Sequence, residues 1–234
     1  MKTAIFVDGG FFVRRYFTVF TDPKDHTPGQ MAKNLHSMCI EHLSQRKRKI
    51  EYDLYRIFFY DCPPLEKRVQ LPVSKKNFDF SKSETFIFRK QLHQELVQQR
   101  KIALRLGWLT DRKNWLLKPN KTKELIQGKI DFRNVTDNDF SYNTQQKGVD
   151  MKIGLDIASL AYKKLVDQII LLSGDSDFVP AAKLARREGI DFILDPMGAS
   201  VHPDLLEHID GIRTTAQQVL RRNTKKLSAS ELVK

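Results

Sequence analysis

Residues 168–177 have the sequence QIILLSGDSD, in which an apolar segment leads directly into a turn with two aspartates. A short apolar run closed by Ser-Gly is typical of a buried strand in a parallel sheet. Helical patterns lie on both sides of it, at Asp150–Leu165 and Pro180–Glu188, and Gly189 is placed to end the second helix. Another apolar strand follows at Ile190–Leu194. Strands that alternate with helices predict a parallel sheet covered on both faces.

The N-terminal part of the chain fits the same pattern. Thr3–Val7 is an apolar run followed at once by Asp8-Gly9-Gly10, as expected of a second buried strand with a turn after it. Met31–Leu43 has apolar residues at helical spacing, and Leu54–Tyr60 is aromatic and β-branched enough for a strand. Pro203–His208 begins a further helix. The sequence therefore predicts an α/β fold with a parallel sheet flanked by helices.

The middle of the chain departs from this alternation. Residues 61–84 predict an irregular excursion, and Thr85–Arg100 predicts a helix. Ile102–Leu109 alternates in part, so we expect it to pair with Trp115–Lys118 as a hairpin. The polar stretch 119–148 is rich in turn-forming residues, and its pattern assigns it to neither helix nor strand.

The length of the chain, 234 residues, suits one domain with a sizeable core and an insertion. We expect that domain to span residues 1–213, with an irregular and hairpin region inserted at about 61–145. Residues 214–234 then form a basic C-terminal tail.

The charge of the chain indicates the class of its partner. The formal net charge is +12, and part of the excess lies in the run Arg46–Lys49. A positive field attracts polyanions, so nucleic acid is favoured over an acidic small molecule. The basic runs have no apolar face beside them, and no segment reaches the length of a membrane span. We therefore expect no membrane partner.

The two cysteines, Cys39 and Cys62, do not have metal-ligand spacing. A disulfide between them stays open, but nothing in the sequence requires an oxidising compartment. The N-terminal apolar run ends after five residues in an aspartate, too short for a secretory signal. We expect a cytoplasmic protein, and a homo-oligomer stays open.

Acidic residues follow two of the predicted strands. The first strand leads into Asp8, and the strand at 168–172 leads into a turn with Asp175 and Asp177. Ligands of open parallel sheets bind outside the carboxyl ends of the strands, and Asp150 opens a helix near such an edge. Convergent carboxylates repel one another unless a cation neutralises them. Mg²⁺ or Mn²⁺ takes oxygen ligands and supports phosphodiester hydrolysis. The expected metal ligands and catalytic residues are Asp8, Asp150, Asp175 and Asp177.

Each of these acids also has a structural explanation. Asp8 before two glycines suits a turn, whereas Asp150 and Asp177 suit the N-cap positions of their helices. Asp156 falls beside Lys152 on a helical wheel, so we expect a solvated helix residue and not a first-choice ligand.

Three segments together resemble a known family. They are IFVDGG at 5–10, QKGVDMKIGLDIASLAY at 146–162 and IILLSGDSDFVPAAKLARREG at 169–189. The pair KGVD and SGDSDF, in that order and spacing, resembles the NYN family of the PIN-like ribonuclease superfamily. The resemblance covers roughly residues 3–17 and 146–213.

The resemblance implies a PIN-like, Rossmann-like parallel sheet and a divalent-metal centre that cleaves RNA. The matching positions are Asp8 after the first strand, Asp150 of KGVD, and Asp175 and Asp177 of SGDSDF. Asp156 matches an acid often seen in the family, and Lys147 of KGVD is a candidate phosphate contact.

One position departs from the family pattern. Members often carry an asparagine shortly after the first aspartate, where this chain has Phe11. A polar group that orients metal or substrate is then missing, so a non-catalytic RNA-binding regulatory module on the same fold is the alternative. The retained aspartates favour the ribonuclease. A phosphatase of the haloacid dehalogenase type is disfavoured because its second acid would fall at Gly10.

Overall fold

The computed structural model describes residues 1–22, 26–44 and 53–221. The strands are β1 Lys2–Asp8, β2 Asp53–Asp61, β3 Arg68–Gln70, β4 Asn77–Asp79, β5 Ile102–Leu106, β6 Trp108–Leu117, β7 Phe140–Lys147, β8 Gln168–Leu172, β9 Asp191–Asp195 and β10 Gly211–Ile212. The helices are α1 Gly9–Val19, α2 Pro28–Leu43, α3 Glu84–Gln98, α4 Pro119–Ile126, α5 Val149–Tyr162, α6 Val179–Arg187 and α7 Pro203–Leu206. The basic run at 46–49 and most of the predicted tail, 222–234, lie outside the described residues.

A six-stranded parallel sheet forms the centre of the protein, with the strand order β10-β9-β8-β1-β2-β5. The first strand is central: Val7 of β1 lies opposite Phe59 of β2 on one side and Leu172 of β8 on the other. After β1, the chain adds β2 and β5 on one side of it, and later adds β8, β9 and β10 on the other side. This confirms the predicted Rossmann-like, PIN-like sheet.

Two hydrophobic cores lie on the two faces of the sheet. Because successive side chains of a strand point to opposite faces, Ile5 and Val7 contribute to one core and Ala4 and Phe6 to the other. The first core is covered by α1, α2 and α3, and the second by α5 and α6. All five residues from Thr3 to Val7 are fully buried, which explains why this segment has no polar alternation.

The cysteines belong to different cores. Cys39 lies in the first and Cys62 in the second, and both thiols are free and buried. Burial, and to a smaller extent the negative charge of Asp195, raises the pKa of the Cys39 thiol. Neither cysteine therefore forms the disulfide that the sequence left open.

Two added pieces pack beside the sheet. One contains the short hairpin of β3 and β4, and the other the antiparallel ribbon of β6 and β7. They are joined by a small aromatic cluster in which Phe80 and Trp115 both contact Tyr142, with ring centroids 5.2 and 5.1 Å from it. The indole N–H of Trp115 also donates to the carbonyl of Gln70 at 2.9 Å. The two added pieces are thus held together by partly exposed aromatic side chains.

The hairpin predicted within 102–118 is wrong. Ile102–Leu106 is instead the edge strand β5, parallel to β2, and the partner of β6 is Phe140–Lys147. The polar residues 110–114 do not turn the chain back. Asp111 accepts a hydrogen bond from the N–H of Lys113 at 2.8 Å, and Lys113 has a φ of 57°, which produces a bulge within β6.

The predicted middle region therefore has two parts. Within 61–145, β5 joins the central sheet and α3 packs on it, whereas β3, β4, β6 and the start of β7 form the added pieces. The division into a domain at 1–213 and a tail stays a prediction. In the described part of the chain, no helix combines the length and the apolar character that a membrane span requires.

Candidate active site

The carboxyl edge of the sheet has its switch point between β1 and β8. From β1 the chain continues to β2 on one side, and it later returns to place β8 on the other. Crevices at such switch points are the usual ligand sites of open parallel sheets. Asp8 ends β1 at this point, and the turn with Asp175 and Asp177 follows β8.

Asp8 is held in a fixed orientation at the junction of β1 and α1. Its carboxylate caps α1 by accepting a hydrogen bond from the N–H of Phe11 at 3.0 Å. The chain can turn here only because Gly9 has no side chain, since a Cβ would lie 2.6 Å from the carbonyl oxygen of Tyr60. The predicted turn role is thus present, and it fixes the carboxylate at the start of α1.

Asp150 stands in the first turn of α5, so it is not the N-cap that its structural explanation required. Gly148 takes that position with a φ of 78°, a left-handed conformation that favours glycine. A Cβ on Gly148 would also lie 2.4 Å from the ring of Trp108. Gly148 therefore lets β7 pass directly into α5 beneath Trp108 and presents Asp150 to solvent.

Asp175 and Asp177 share one tight turn after β8. Asp175 caps the single 3₁₀ turn Ser176–Phe178 and accepts from the N–H of Asp177 at 3.0 Å. Its own N–H donates to the hydroxyl of the buried Ser173 at 3.3 Å. Both carboxylates are exposed.

Electrostatic coupling links the four aspartates. The pKa of Asp8 is raised, first by burial and then by the negative charge of Asp150, while the N–H of Phe11 and the guanidinium of Arg14 lower it. The pKa of Asp150 is also raised, first by lost hydration and then by the charges of Asp175 and Asp177. Asp150 is thus the common neighbour: its charge acts on Asp8, and the charges of Asp175 and Asp177 act on it.

Other strands of the sheet also end in aspartate, but those acids have basic side chains as hydrogen-bond partners. Asp61 at the end of β2 is fully buried and accepts from Nε2 of His93 at 2.8 Å and from Arg89 at 3.2 Å. Asp195 at the end of β9 is fully buried and accepts from Nε2 of His42 at 2.8 Å. In contrast, none of the four coupled aspartates forms an ion pair among the described residues.

The donor set fits a hard divalent cation as a partial site. In the described ranges, no three His, Cys, Asp or Glu side chains lie close enough together to hold a metal ion as a group. Mg²⁺ usually takes only one or two protein carboxylates and completes its shell with water and substrate phosphate. Carboxylates with raised pKa values, such as Asp8 and Asp150, are suited to that role because a cation relieves their repulsion.

Asp156 does not belong to this group, and it is not the solvated residue that we expected. It accepts a hydrogen bond from the hydroxyl of Tyr60 at 2.7 Å and lies 3.6 Å from Arg105. The helical wheel placed it near Lys152, but that lysine extends to the carbonyl of Leu106 instead. Asp156 therefore fastens α5 to the strands β2 and β5.

Two further residues, Arg14 and Gln146, lie beside Asp8. Arg14 is exposed one turn into α1, and its charge acts on Asp8. Gln146 comes from β7, and its Oε1 would lie 3.3 Å from a Cβ on Gly10, a point that is also 3.4 Å from Oδ1 of Asp8. The neighbouring Arg15 is used otherwise, since it donates to the carbonyl of Met197 at 2.9 Å. Only the long-range pairing of β6 with β7 brings Gln146 here.

A family model for the NYN domain matches residues 64–202, more than half of the chain. The chain belongs to the NYN domain family. This confirms the resemblance and identifies a PIN-like, nuclease-like domain of a family whose members are generally ribonucleases and typically use divalent metals. The match includes Asp150, Asp175 and Asp177, and Asp8 lies before it.

Comparison with solved structures adds no functional information about this NYN domain. A protein of unknown function from Vibrio parahaemolyticus is 14% identical, with a TM-score of 0.47 over 91% of each chain. A structure from work on the mechanism and regulation of Sir2 enzymes is 11% identical, with a TM-score of 0.35 over 97% of this chain and 93% of that one. Both scores are too low to carry an argument. Among curated proteins, none is detectably similar in sequence.

Proposed function

We propose that this NYN domain hydrolyses phosphodiester bonds of RNA with Mg²⁺ or Mn²⁺. The metal ligands and catalytic residues in this proposal are Asp8, Asp150, Asp175 and Asp177. The observation that supports it is the position of Asp150 at the switch point of the sheet, where its charge acts on Asp8 and is itself opposed by the charges of Asp175 and Asp177. Such a cluster is costly without a counter-charge, which a bound cation supplies.

The residues divide the work according to their positions. Asp8 and Asp150, whose pKa values are raised, would offer their carboxylates to the cation, and Asp175 and Asp177 would hold it directly or through its water ligands. A bound divalent cation supplies charge neutralisation and a more acidic water for attack on phosphorus. The exposed Arg14, next to Asp8, binds a non-bridging phosphate oxygen of the strand.

The rest of the polyanion is held by the positive field of the chain. A net charge of +12 attracts RNA without reading its sequence. Lys147 is exposed at the end of β7, directly before Gly148 and three residues before Asp150, and is a further phosphate contact in this proposal. Binding is therefore expected to weaken steeply as salt rises.

A second function has a specific observation in its favour. Phe11 stands where the family often has asparagine, and its ring packs against Gly174 at the site. In a regulatory module that binds RNA without cleaving it, this apolar contact replaces the polar group that orients metal or substrate. The absence of a three-carboxylate group among the described residues agrees with such a module as well.

One experiment separates the two functions. Wild type and Asp175→Asn are incubated with mixed RNA and Mn²⁺, and RNA binding is measured in parallel. Asparagine can still accept the N–H of Asp177, so the turn is kept while one charge is lost. The ribonuclease proposal expects chelator-sensitive cleavage by wild type, at least about 100-fold slower cleavage by the variant, and binding by both. Binding without cleavage by either protein supports the regulatory module instead.

A further inference from the structure

A cavity lies beside the aspartate site, between the central sheet and the added pieces. Its volume is about 420 Å³, within the range of small-molecule sites. The residues on its wall that matter here are Cys62, Phe80, Arg89, Tyr142, Thr144 and Gln146. We call it the insertion pocket.

The strand β7 connects the insertion pocket to the aspartates. Because side chains alternate along a strand, Tyr142, Thr144 and Gln146 share the face that lines the pocket. Gln146, the last of the three, is also the residue that approaches Asp8 through the space beside Gly10. The side chain of Gln146 therefore lies between the insertion pocket and the proposed catalytic site.

The insertion pocket offers flat aromatic surfaces. Phe80 and Tyr142 line it, with ring centroids 5.2 Å apart, and Phe78 contacts Phe80 edge-to-face at 5.0 Å. Aromatic side chains are the surfaces on which RNA-binding proteins stack unpaired bases.

Arg89 adds an unsatisfied hydrogen-bond donor to this wall. Its Nη2 is fixed by Oδ1 of the buried Asp61 at 3.2 Å, and Asp61 is itself held by His93 at 2.8 Å. Its Nη1 is buried and has no hydrogen-bond partner among the described residues. A buried donor without an acceptor costs free energy, so a ligand that presents an acceptor at this point gains an interaction. The carbonyl oxygens and unprotonated ring nitrogens of a nucleobase are such acceptors.

We propose that the insertion pocket binds one unstacked nucleobase of the RNA strand, adjacent to the phosphate held at the aspartates. The inference rests on the proposed function, which identifies the bound polymer as RNA. The base stacks on Phe80 and Tyr142, and an acceptor on its edge receives the free N–H of Arg89. The pocket thereby selects single-stranded RNA and sets the position of the base relative to Asp8.

The test compares two strands of about eight nucleotides, one of them abasic at its central positions. Binding to the full-length protein is measured by fluorescence anisotropy in Ca²⁺, with the integrity of each strand checked on a gel. Thr144→Phe fills the pocket from β7. Gln145→Phe is the matched control, because the neighbouring residue points to the opposite face of the strand.

We expect wild type and Gln145→Phe to bind the strand with bases at least about fivefold more tightly than the abasic strand. Thr144→Phe is expected to bind both strands with nearly equal affinity, at the level of the abasic one. No preference in wild type, or an unchanged preference in Thr144→Phe, would overturn the proposal.

A second measurement on wild type does not depend on any substitution. Strands with 4-thiouridine are photo-crosslinked to the protein and the modified residues are identified by mass spectrometry. Crosslinks at Phe80, Tyr142 or Cys62 support the pocket, and crosslinks found only outside it contradict the proposal. A preference for the strand with bases, without cleavage in Mn²⁺, would contradict the ribonuclease proposal and support the insertion pocket. Cleavage in Mn²⁺ without that preference would support the ribonuclease and contradict the pocket.

Discussion

The ring of Phe11 packs against Gly174, with its Cε2 atom 3.0 Å from the point that a Cβ on Gly174 would occupy. This contact joins the first turn of α1 to the loop that leads from β8 to Asp175. The backbone N–H of Phe11 meanwhile donates to Asp8. One residue thus links both sides of the site through its backbone and an apolar side chain.

Replacing Phe11 with the asparagine of the family pattern is expected to raise activity. Phe11→Asn supplies a polar group between Asp8 and the loop after β8, so we expect Mn²⁺-dependent cleavage to increase by about tenfold. The loss of a partly buried ring is expected to cost about 1–2 kcal/mol of stability. Phe11→Leu is the control that keeps an apolar side chain. Equal rates for the asparagine and leucine variants would show that Phe11 does not limit the chemistry.

Removal of the charge of Asp8 is expected to stabilise the metal-free protein. Burial, and then the charge of Asp150, raise the pKa of Asp8, so the ionised carboxylate disfavours the folded state. This penalty is complete above the folded-state pKa and disappears below the unfolded-state value, where both states carry the proton. In chelator near pH 7.5, the Tm of Asp8→Asn should exceed that of wild type by about 2–4 °C. The difference should shrink as the pH falls toward about 4.

The same pair of proteins tests the cation. Asparagine still accepts the N–H of Phe11, so the cap of α1 is retained. Added Mn²⁺ should raise the Tm of wild type more than that of Asp8→Asn. A ligand that binds the native state stabilises the protein, and the variant has lost one proposed ligand of the cation. A metal-free Asp8→Asn that is less stable than wild type would show that Asp8 is not under electrostatic strain.

Alanine substitutions at two glycines, Gly148 at the N-cap of α5 and Gly154 inside it, should change the stability in opposite directions. Gly148→Ala puts a Cβ into the ring of Trp108 at a left-handed position, so it should destabilise the protein by about 1–3 kcal/mol and slow cleavage by displacing Asp150. Gly154→Ala is the control, since a Cβ there meets nothing within 4 Å in a helix interior. It should stabilise the protein by about 0.5–1 kcal/mol and leave cleavage unchanged. Denaturant unfolding and initial rates measure both effects, and similar losses in both variants would argue against the role of Gly148.

The parallel sheet and its acids could be predicted because their signals are local. β8 has the predicted bounds, Gln168–Leu172, and the turn after it carries both aspartates. A strand buried on both faces has a continuous apolar run, and the acid at its end follows directly in the sequence. The convergence of Asp150 with these acids was inferred from the position of its helix and from the family resemblance, and the coupling of the charges agrees with it.

The added pieces could not be predicted because their signals are long-range. β7 has the sequence FSYNTQQK, which lacks apolar alternation, and it is a strand only because β6 pairs with it about 30 residues earlier. The role of Gln146 depends on that pairing and was missed. Asp156 was misjudged for a similar reason, since Tyr60, its partner, lies 96 residues away on β2.

The most direct test of the proposed metal site compares two aspartates of the same helix, Asp150 and Asp156. Each is changed to asparagine, and single-turnover cleavage of a labelled RNA is measured over a range of Mn²⁺ concentrations. Both variants should fold, since asparagine at 156 still accepts the hydroxyl of Tyr60. The proposed site predicts that Asp150→Asn is at least about 100-fold slower than wild type, with Asp156→Asn close to wild type. A fully active Asp150→Asn, or a loss of activity confined to Asp156→Asn, would contradict it.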